Sequence, residues 1–129
     1  MAGGPIILII EDDRFLSSIL KGRLEKENFT ILQAFDGAEG FELLKKERPN
    51  LILLDLIMPK VSGFEFLESI SMDPQLNQIP VVIASNLGQE SDIKKAKDLG
   101  VVDYYVKVRT SIDELTQMVK NLVAQRHLG

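Results

Sequence analysis

Chemically reactive side chains follow four almost purely apolar runs of the sequence. They are Glu11, Asp12 and Asp13 after the first run, Asp55 after the second, Ser85 after the third and Lys107 after the fourth. If these positions meet in the fold, two carboxylates about 4 Å apart repel by about 4 kcal/mol at an effective dielectric of about 20. One lysine does not offset several such charges, so the cluster needs a divalent cation or a bound proton.

These residue types suit magnesium-assisted phosphoryl transfer. Oxygen donors without neighbouring histidine or cysteine are the ligands of hard cations, and Mg²⁺ is the usual ion where phosphate is involved. A carboxylate can act as a nucleophile, which makes Asp55 the natural acceptor of a phosphoryl group. Lys107 supplies a positive charge for one phosphoryl oxygen, and the hydroxyl of Ser85 supplies a donor for another.

Composition excludes several other classes of function. The 129 residues contain no cysteine, which rules out disulfide scaffolds and thiol catalysis, and a single histidine, His127, which makes a histidine triad or multi-histidine metal site untenable. A net charge of −4 argues against direct nucleic-acid binding. Because no apolar run is long enough to span a bilayer and no signal peptide is visible, we expect a cytoplasmic protein without membrane contact.

Alternating strand and helix patterns predict the scaffold that positions these side chains. Apolar runs predict strands at Ile6–Ile10, Thr30–Ala34, Leu51–Leu54, Val81–Ala84 and Tyr104–Val106. Apolar residues at helical spacing follow each of them. Five repeats of strand and helix indicate an α/β fold, doubly wound, with a parallel sheet covered by helices on both faces. In such a sheet, ligands bind beyond the carboxyl ends of the strands, where the reactive residues stand.

With these residues in this order, the sequence resembles the receiver domain of bacterial two-component response regulators. The matching features are the acidic stretch Glu11–Asp13, the segment Asp55–Pro59, Gly63 at the start of the third helix, Ser85, and Lys107 after Tyr104–Val106. The resemblance covers residues 5–126 and leaves 127–129 as a tail; residues from 124 onward look frayed. It implies a flavodoxin-like five-stranded sheet in the order 2-1-3-4-5.

The resemblance also implies a role for each matching residue. Asp55 is expected to be the phosphoacceptor, with Ser85 and Lys107 binding the phosphoryl oxygens. Asp12 is expected to ligate Mg²⁺ directly, Glu11 through water, and Ile57 through its backbone carbonyl. Tyr104 matches the aromatic residue whose rotation reports phosphorylation. The implied switch draws Ser85 toward the phosphoryl group, moves the loop 85–91 and changes the face formed by the fourth helix, fifth strand and fifth helix.

Partners follow from the same resemblance. Because His127 is no plausible internal donor, the phosphoryl group is expected to come from a sensor histidine kinase, a histidine phosphotransfer protein or a small phosphodonor. The output is expected to be a separate protein or a fused domain, from a chain that is a stand-alone receiver or part of a longer regulator. We expect a monomer or weak dimer, and not an enzyme but a phosphoacceptor that assists its own phosphorylation and dephosphorylation.

Two departures from the family pattern carry consequences. Val108 stands where the family usually has proline, and a cis bond costs about 2.5–4 kcal/mol before valine against about 0.5–1 before proline. Either the loop keeps a strained cis bond, or the bond is trans and displaces Lys107; of the two, we expect the trans bond. Ile57 and Leu87 are apolar at positions flanking Asp55, where water must approach, so we expect self-dephosphorylation to take longer than minutes.

Competing interpretations remain open at the level of sequence. Asp12 or Asp13 could serve only to cap the first helix. The chain could be a degenerate receiver that acts only through protein interactions. The departure from the family pattern at Val108 is consistent with this alternative. A Mg²⁺-dependent aspartyl-phosphate phosphohydrolase would typically carry a second acid where Ile57 stands, which argues against that class. No glycine-rich phosphate-binding loop is present to indicate a nucleotide or flavin module.

Overall fold

The computed structural model of the chain describes residues 4–128, and side chains within residues 4–126. Five parallel strands form one sheet in the order 2-1-3-4-5. The strands are β1 (Ile6–Ile10), β2 (Thr30–Ala34), β3 (Leu51–Leu54), β4 (Val81–Ser85) and β5 (Asp103–Val106). Each predicted run is a strand, so the predicted fold class and strand order are confirmed.

Helices connect the strands, as the periodicity predicts. They are α1 (Arg14–Glu25), α2 (Gly37–Lys46), α3 (Gly63–Ser71), α4 (Glu90–Asp98) and α5 (Ile112–Leu128), with a short 3₁₀ turn at Lys107–Arg109. The expectation of a frayed end from residue 124 is wrong, because α5 continues to Leu128. No glycine or proline interrupts the helix before Gly129, which lies outside the described residues, as does the side chain of His127.

Helices on both faces of the sheet bury the three interior strands, β1, β3 and β4, at every position except Ile6. One face packs against α2, α3 and α4, and the opposite face against α1 and α5. This explains why β1, β3 and β4 read as continuous apolar runs instead of alternating ones. The edge strand β5 is half-buried at every position, which explains its weaker signal and its two tyrosines. In the described part of the chain, no helix has both the length and the apolar character needed to cross a bilayer.

The start of α1 separates one acidic residue from the other two. Asp13 is the N-cap, and its Oδ1 accepts a hydrogen bond from the Leu16 amide at 3.1 Å. A cap of this kind satisfies a helix-end amide that otherwise lacks a partner. The capping interpretation therefore applies to Asp13, while Glu11 and Asp12 remain available at the sheet edge.

Gly63 lets α3 begin directly against the segment that carries Asp55. Its amide donates a hydrogen bond to the carbonyl of Leu56 at 3.0 Å. A Cβ atom at this position would lie 2.4 Å from Leu56 Cα and 2.5 Å from the carbonyl oxygen of Asp55. Only glycine permits so close an approach of helix and loop, so this residue fixes the backbone beside Asp55.

Candidate functional site

Three carboxylates meet at the carboxyl edge of the sheet. β1 and β3 are adjacent with Ile10 opposite Leu54, so the residues that follow them become neighbours. Glu11, Asp12 and Asp55 each offer an oxygen atom, and these oxygens all lie within 4.8 Å of one another. Glu11 and Asp55 are buried, at 4% and 5% exposure, whereas Asp12 is exposed.

Lys107 reaches this cluster from the end of β5. Its Nζ atom lies 2.5 Å from Glu11 Oε1 and 3.2 Å from Asp55 Oδ2. The Lys107–Val108 bond is trans, as the sequence predicts. The expected displacement of Lys107 is wrong, because the 3₁₀ turn at 107–109 redirects the chain without a cis bond and leaves the ammonium group beside the acids.

Burial and neighbouring charges change the pKa values of Glu11 and Lys107. Burial raises the pKa of Glu11 to about 7, a change that the hydrogen bond from Lys107 only partly opposes and the charge of Asp55 reinforces. Burial by itself lowers the pKa of Lys107, but Glu11 and Asp55 outweigh it and leave that pKa above its ordinary value. Lys107 is therefore charged at neutral pH. Glu11 is close to its pKa there, so it can either hold a proton or, when ionised, interact with a cation.

Backbone amides orient the two buried carboxylates. The amide of Asp13 donates to Glu11 Oε2 at 3.1 Å, and the amide of Ile57 donates to Asp55 Oδ1 at 3.2 Å. Asp55 is thus held at both oxygens, one by an amide and the other by Lys107. From the sequence, Ile57 is expected to act only through its carbonyl; its amide contact depends on the turn after β3, which the sequence does not reveal.

Ser85 and Tyr104 contact the same loop behind the acids. Ser85 is fully buried at the end of β4, and its Oγ lies 3.4 Å from the amide nitrogen of Leu87. The hydroxyl of Tyr104 donates a hydrogen bond to the carbonyl of Leu87 at 2.6 Å. The β4–α4 loop is therefore tied both to the strand that carries Ser85 and to β5.

The cluster has the donor chemistry of a site for a hard divalent cation. Its ligand atoms are all oxygens, and once Glu11 is ionised the three carboxylates and one ammonium have a formal charge of −2 (three negative, one positive). Within the described side chains, Lys107 is the only cation that forms an ion pair with these acids. Such an excess of negative charge is stabilised by a divalent cation, and carboxylate ligation with open positions is typical of Mg²⁺.

Sequence comparisons connect this geometry to known proteins. Residues 7–120 match the family described as the response regulator receiver domain. RpaA of Synechocystis sp., a DNA-binding dual master transcriptional regulator, is 36% identical over 119 residues, which cover 92% of this chain and 49% of RpaA. Protein PilH of Pseudomonas aeruginosa is 34% identical over 110 residues, which cover 85% of this chain and 88% of PilH. The chain thus spans about half the length of RpaA and most of PilH.

Comparison with solved structures also finds response regulators. The receiver domain of the Francisella response regulator 1452 superposes with a TM-score of 0.86 at 28% identity, covering 95% of this chain and 99% of that one. The Mn²⁺-bound form of response regulator Rcp1 superposes with a TM-score of 0.80 at 31% identity, covering 92% and 91%. Because the family match extends over most of this chain, the chain belongs to the receiver domains of response regulators, the signalling modules of two-component systems.

Proposed function

We propose that this receiver accepts a phosphoryl group on Asp55 in a reaction that depends on Mg²⁺. The observation that carries the proposal is the environment of Asp55, a buried carboxylate held by the Ile57 amide and the Lys107 ammonium beside two further acids. An Asp55 oxygen forms the new bond to phosphorus while the donor's bond to phosphorus breaks. The product is an acyl phosphate, and the donor leaves with the electron pair of the broken bond.

The residues around Asp55 have separate roles in binding the phosphoryl group and the metal ion. Lys107 pairs with a phosphoryl oxygen, and Ser85 donates its hydroxyl to another. Asp12 and Asp55 would hold Mg²⁺ directly, with Glu11 through water and the Ile57 carbonyl as a further ligand. The bound ion would neutralise charge on the phosphoryl group during transfer. The supporting observation is that the carboxylates and Lys107 converge at one edge of the sheet.

Phosphorylation then acts on the β4–α4 loop. The modification adds about −1.5 to −2 charge and three strong acceptor oxygens, which attract the hydroxyl of Ser85. Because Leu87 contacts both Ser85 and Tyr104, a movement of Ser85 disturbs the hydrogen bond that holds the tyrosine hydroxyl. We expect Tyr104 to reorient and the α4–β5–α5 face to change its preference for partners.

The donor is a sensor histidine kinase or a histidine phosphotransfer protein. Large exposed apolar side chains lie within two residues of Asp13, Asp55 and Lys107 along the sequence: Phe15 is 77% exposed, Ile57 53% and Val108 78%. Such residues suit the docking of a protein that delivers the phosphoryl group. The output is a separate protein or a fused domain, and the receiver acts as a monomer or weak dimer.

Incubation with Mg²⁺ and acetyl phosphate tests the proposal directly. We expect intact mass spectrometry to record the gain of about one phosphoryl group per chain, and none when Mg²⁺ is removed with a chelator. Continuous release of inorganic phosphate without a stable adduct would support the phosphohydrolase alternative. A mass that does not change under any condition would support the degenerate receiver.

The phosphorylated state should be long-lived. Ile57 and Leu87 flank Asp55 with apolar side chains that cannot hold the attacking water, so we expect a half-life longer than minutes after removal of the donor. Replacing the exposed Ile57 with asparagine gives water a hydrogen-bonding partner, which is worth about 1 kcal/mol and shortens the lifetime about fivefold. Loss of the adduct within seconds in the unmodified protein would contradict the expectation.

Binding of Mg²⁺ should strengthen as pH rises from about 6 to about 8. Below its raised pKa of about 7, Glu11 is protonated and the cluster has lost one negative charge; above it, the carboxylate is available. Lys107 stays charged throughout this range because its pKa is raised. Isothermal titration calorimetry should therefore record an increase of up to about tenfold in affinity.

The variant Glu11→Gln provides the control for this pH dependence. It removes the titrating group and keeps a side chain of similar size, so its Mg²⁺ affinity should be weaker and nearly constant over the same range. The contribution of Glu11 to the free energy of unfolding should change with pH in the opposite direction to the Mg²⁺ affinity. A raised pKa in the folded state means that Glu11 stabilises the fold most at low pH, and this contribution is lost as pH rises through about 7.

A further inference from the structure

We propose that Asn86 is a positioning residue for Lys107, acting through the backbone amide of Val108. The inference rests on the proposed function, since it concerns how the phosphoryl-binding lysine is held. Asn86 follows Ser85 directly, and its Oδ1 accepts a hydrogen bond from the Val108 amide at 3.2 Å. This contact joins the β4–α4 loop to the turn that carries the lysine.

The turn itself is short and has few other restraints. It consists of one 3₁₀ turn, Lys107–Arg109, with no buried residue. The hydroxyl of Thr110 donates to the carbonyl of Val106 at 3.0 Å, and the amide of Thr110 donates to the carbonyl of Lys107 at 3.3 Å. Both bonds lie within the turn and its flanking residues. Among the hydrogen bonds of the described residues, the one to Asn86 is what ties the backbone of this turn to another loop.

The identity of residue 108 makes this contact available. Proline has no amide hydrogen, so a chain with proline after the lysine cannot form the bond to Asn86. Valine supplies the donor, and the Lys107–Val108 bond is trans. Asn86 thus provides a restraint on a turn that no proline ring stiffens, and the ammonium of Lys107 still reaches Glu11 and Asp55.

The position of the turn matters because lysine is flexible. Its four-carbon stem has several rotatable bonds, so a loose backbone would let the ammonium group leave the acids and point to water. The Lys107 side chain is 19% exposed, which means that solvent is close enough to compete. A fixed backbone amide at Val108 therefore favours the conformation in which Nζ faces Asp55.

Competitive labelling of Lys107 with acetic anhydride tests the inference without relying on phosphorylation. In the unmodified protein, Lys107 should react slowly because its ammonium is held between two carboxylates. Asn86→Ala removes the acceptor from an exposed position and should speed acetylation of Lys107 by about two- to tenfold, the range expected for one hydrogen bond. Asn86→Asp keeps the acceptor oxygen and should return the rate to within about twofold of the original.

The affinity for Mg²⁺ separates positioning from a general loss of loop structure. A released Lys107 no longer competes for Glu11 and Asp55, so Asn86→Ala should bind Mg²⁺ more tightly, by about two- to threefold, and yet accept phosphate from acetyl phosphate more slowly. A disrupted loop would lower both the Mg²⁺ affinity and the rate of phosphorylation. Asn77→Ala makes the same chemical change at an exposed asparagine that precedes β4, at the opposite end of that strand from Ser85, so it should match the unmodified protein in all three measurements.

The outcomes distinguish this inference from the proposed function. Lys107 labelling that is unchanged in Asn86→Ala overturns the positioning role, whatever happens to phosphorylation. Weaker Mg²⁺ binding in that variant also overturns it in favour of a structural role. If labelling responds as expected but Asp55 accepts no phosphate even in the unmodified protein, the proposed function fails and the positioning role stands.

Discussion

Replacing Asp55 with asparagine is expected to abolish phosphorylation by acetyl phosphate, with a loss of at least about a thousandfold in rate. The amide has no anionic oxygen with which to attack phosphorus, so no acyl phosphate forms. The side chain keeps nearly the same shape, and its carbonyl oxygen can still accept the hydrogen bond from the Ile57 amide. Intact mass spectrometry after incubation with Mg²⁺ and acetyl phosphate measures the effect.

This substitution should not destabilise the fold. Asp55 and Glu11 are two buried acids close to each other, and the charge of Asp55 raises the pKa of Glu11. Removing one of these like charges relieves their repulsion, although it also removes one of the two partners of Lys107, at 3.2 Å, and leaves Glu11 as the other. A melting temperature close to that of the unmodified protein would show that the loss of phosphorylation is chemical and not structural.

Asp13→Asn is the matched control, because it makes the same chemical change at another acid, in the segment between β1 and α1. Asp13 caps α1 through its side chain and stands outside the cluster of three carboxylates. Asparagine caps helices about as well as aspartate, so both stability and phosphorylation should be preserved. An Asp55→Asn protein that still gains one phosphoryl group would refute the assignment of the acceptor.

The strands were the most predictable part of the molecule. A parallel sheet covered on both faces buries its interior strands on both sides, so β1, β3 and β4 appear as uninterrupted apolar runs. The edge strand β5 buries only part of each residue and was accordingly harder to delimit. The end of α5 was misjudged because the three residues after Ala124 are polar, and a polar run near a chain end resembles a loop although no proline or glycine interrupts the helix before Gly129.

That Glu11, Asp12, Asp55 and Lys107 lie together was predictable from their order after the strands, but their environments were not. The sequence cannot tell which of Glu11 and Asp12 faces inward, because both follow the same strand; the structure buries Glu11 and exposes Asp12. The contact of Lys107 with the acids was underestimated, since the bend of the β5–α5 turn depends on local hydrogen bonds. Asn86 was missed for the same reason: its partner is a backbone amide 22 residues away.

The second large effect is expected at Gly63, where a single methyl group should destabilise the fold. In Gly63→Ala the new Cβ would meet Leu56 Cα at 2.4 Å and the Asp55 carbonyl oxygen at 2.5 Å. Both are backbone atoms that cannot swing aside as a side-chain end could, so the start of α3 or the segment after β3 must move. We expect a loss of about 2–4 kcal/mol in the free energy of unfolding, measured by urea denaturation.

Gly22→Ala is the matched control for this effect. Gly22 lies within α1, and a Cβ atom there would meet nothing within 4 Å. Because alanine favours the helix over glycine by about 1 kcal/mol, this variant should be slightly more stable than the unmodified protein. The same chemical change is thus expected to have opposite signs at the two positions.

The cost at Gly63 should also reach the site, because the atoms that must move belong to Asp55 and its neighbour. Displacing the Asp55 carbonyl shifts the turn whose Ile57 amide orients the carboxylate. At a temperature where Gly63→Ala remains folded, we expect slower phosphorylation by acetyl phosphate, whereas Gly22→Ala should react as the unmodified protein does. Equal stability and equal rates in the two variants would mean that the backbone beside Asp55 yields without cost, and the argument that glycine fixes it would fail.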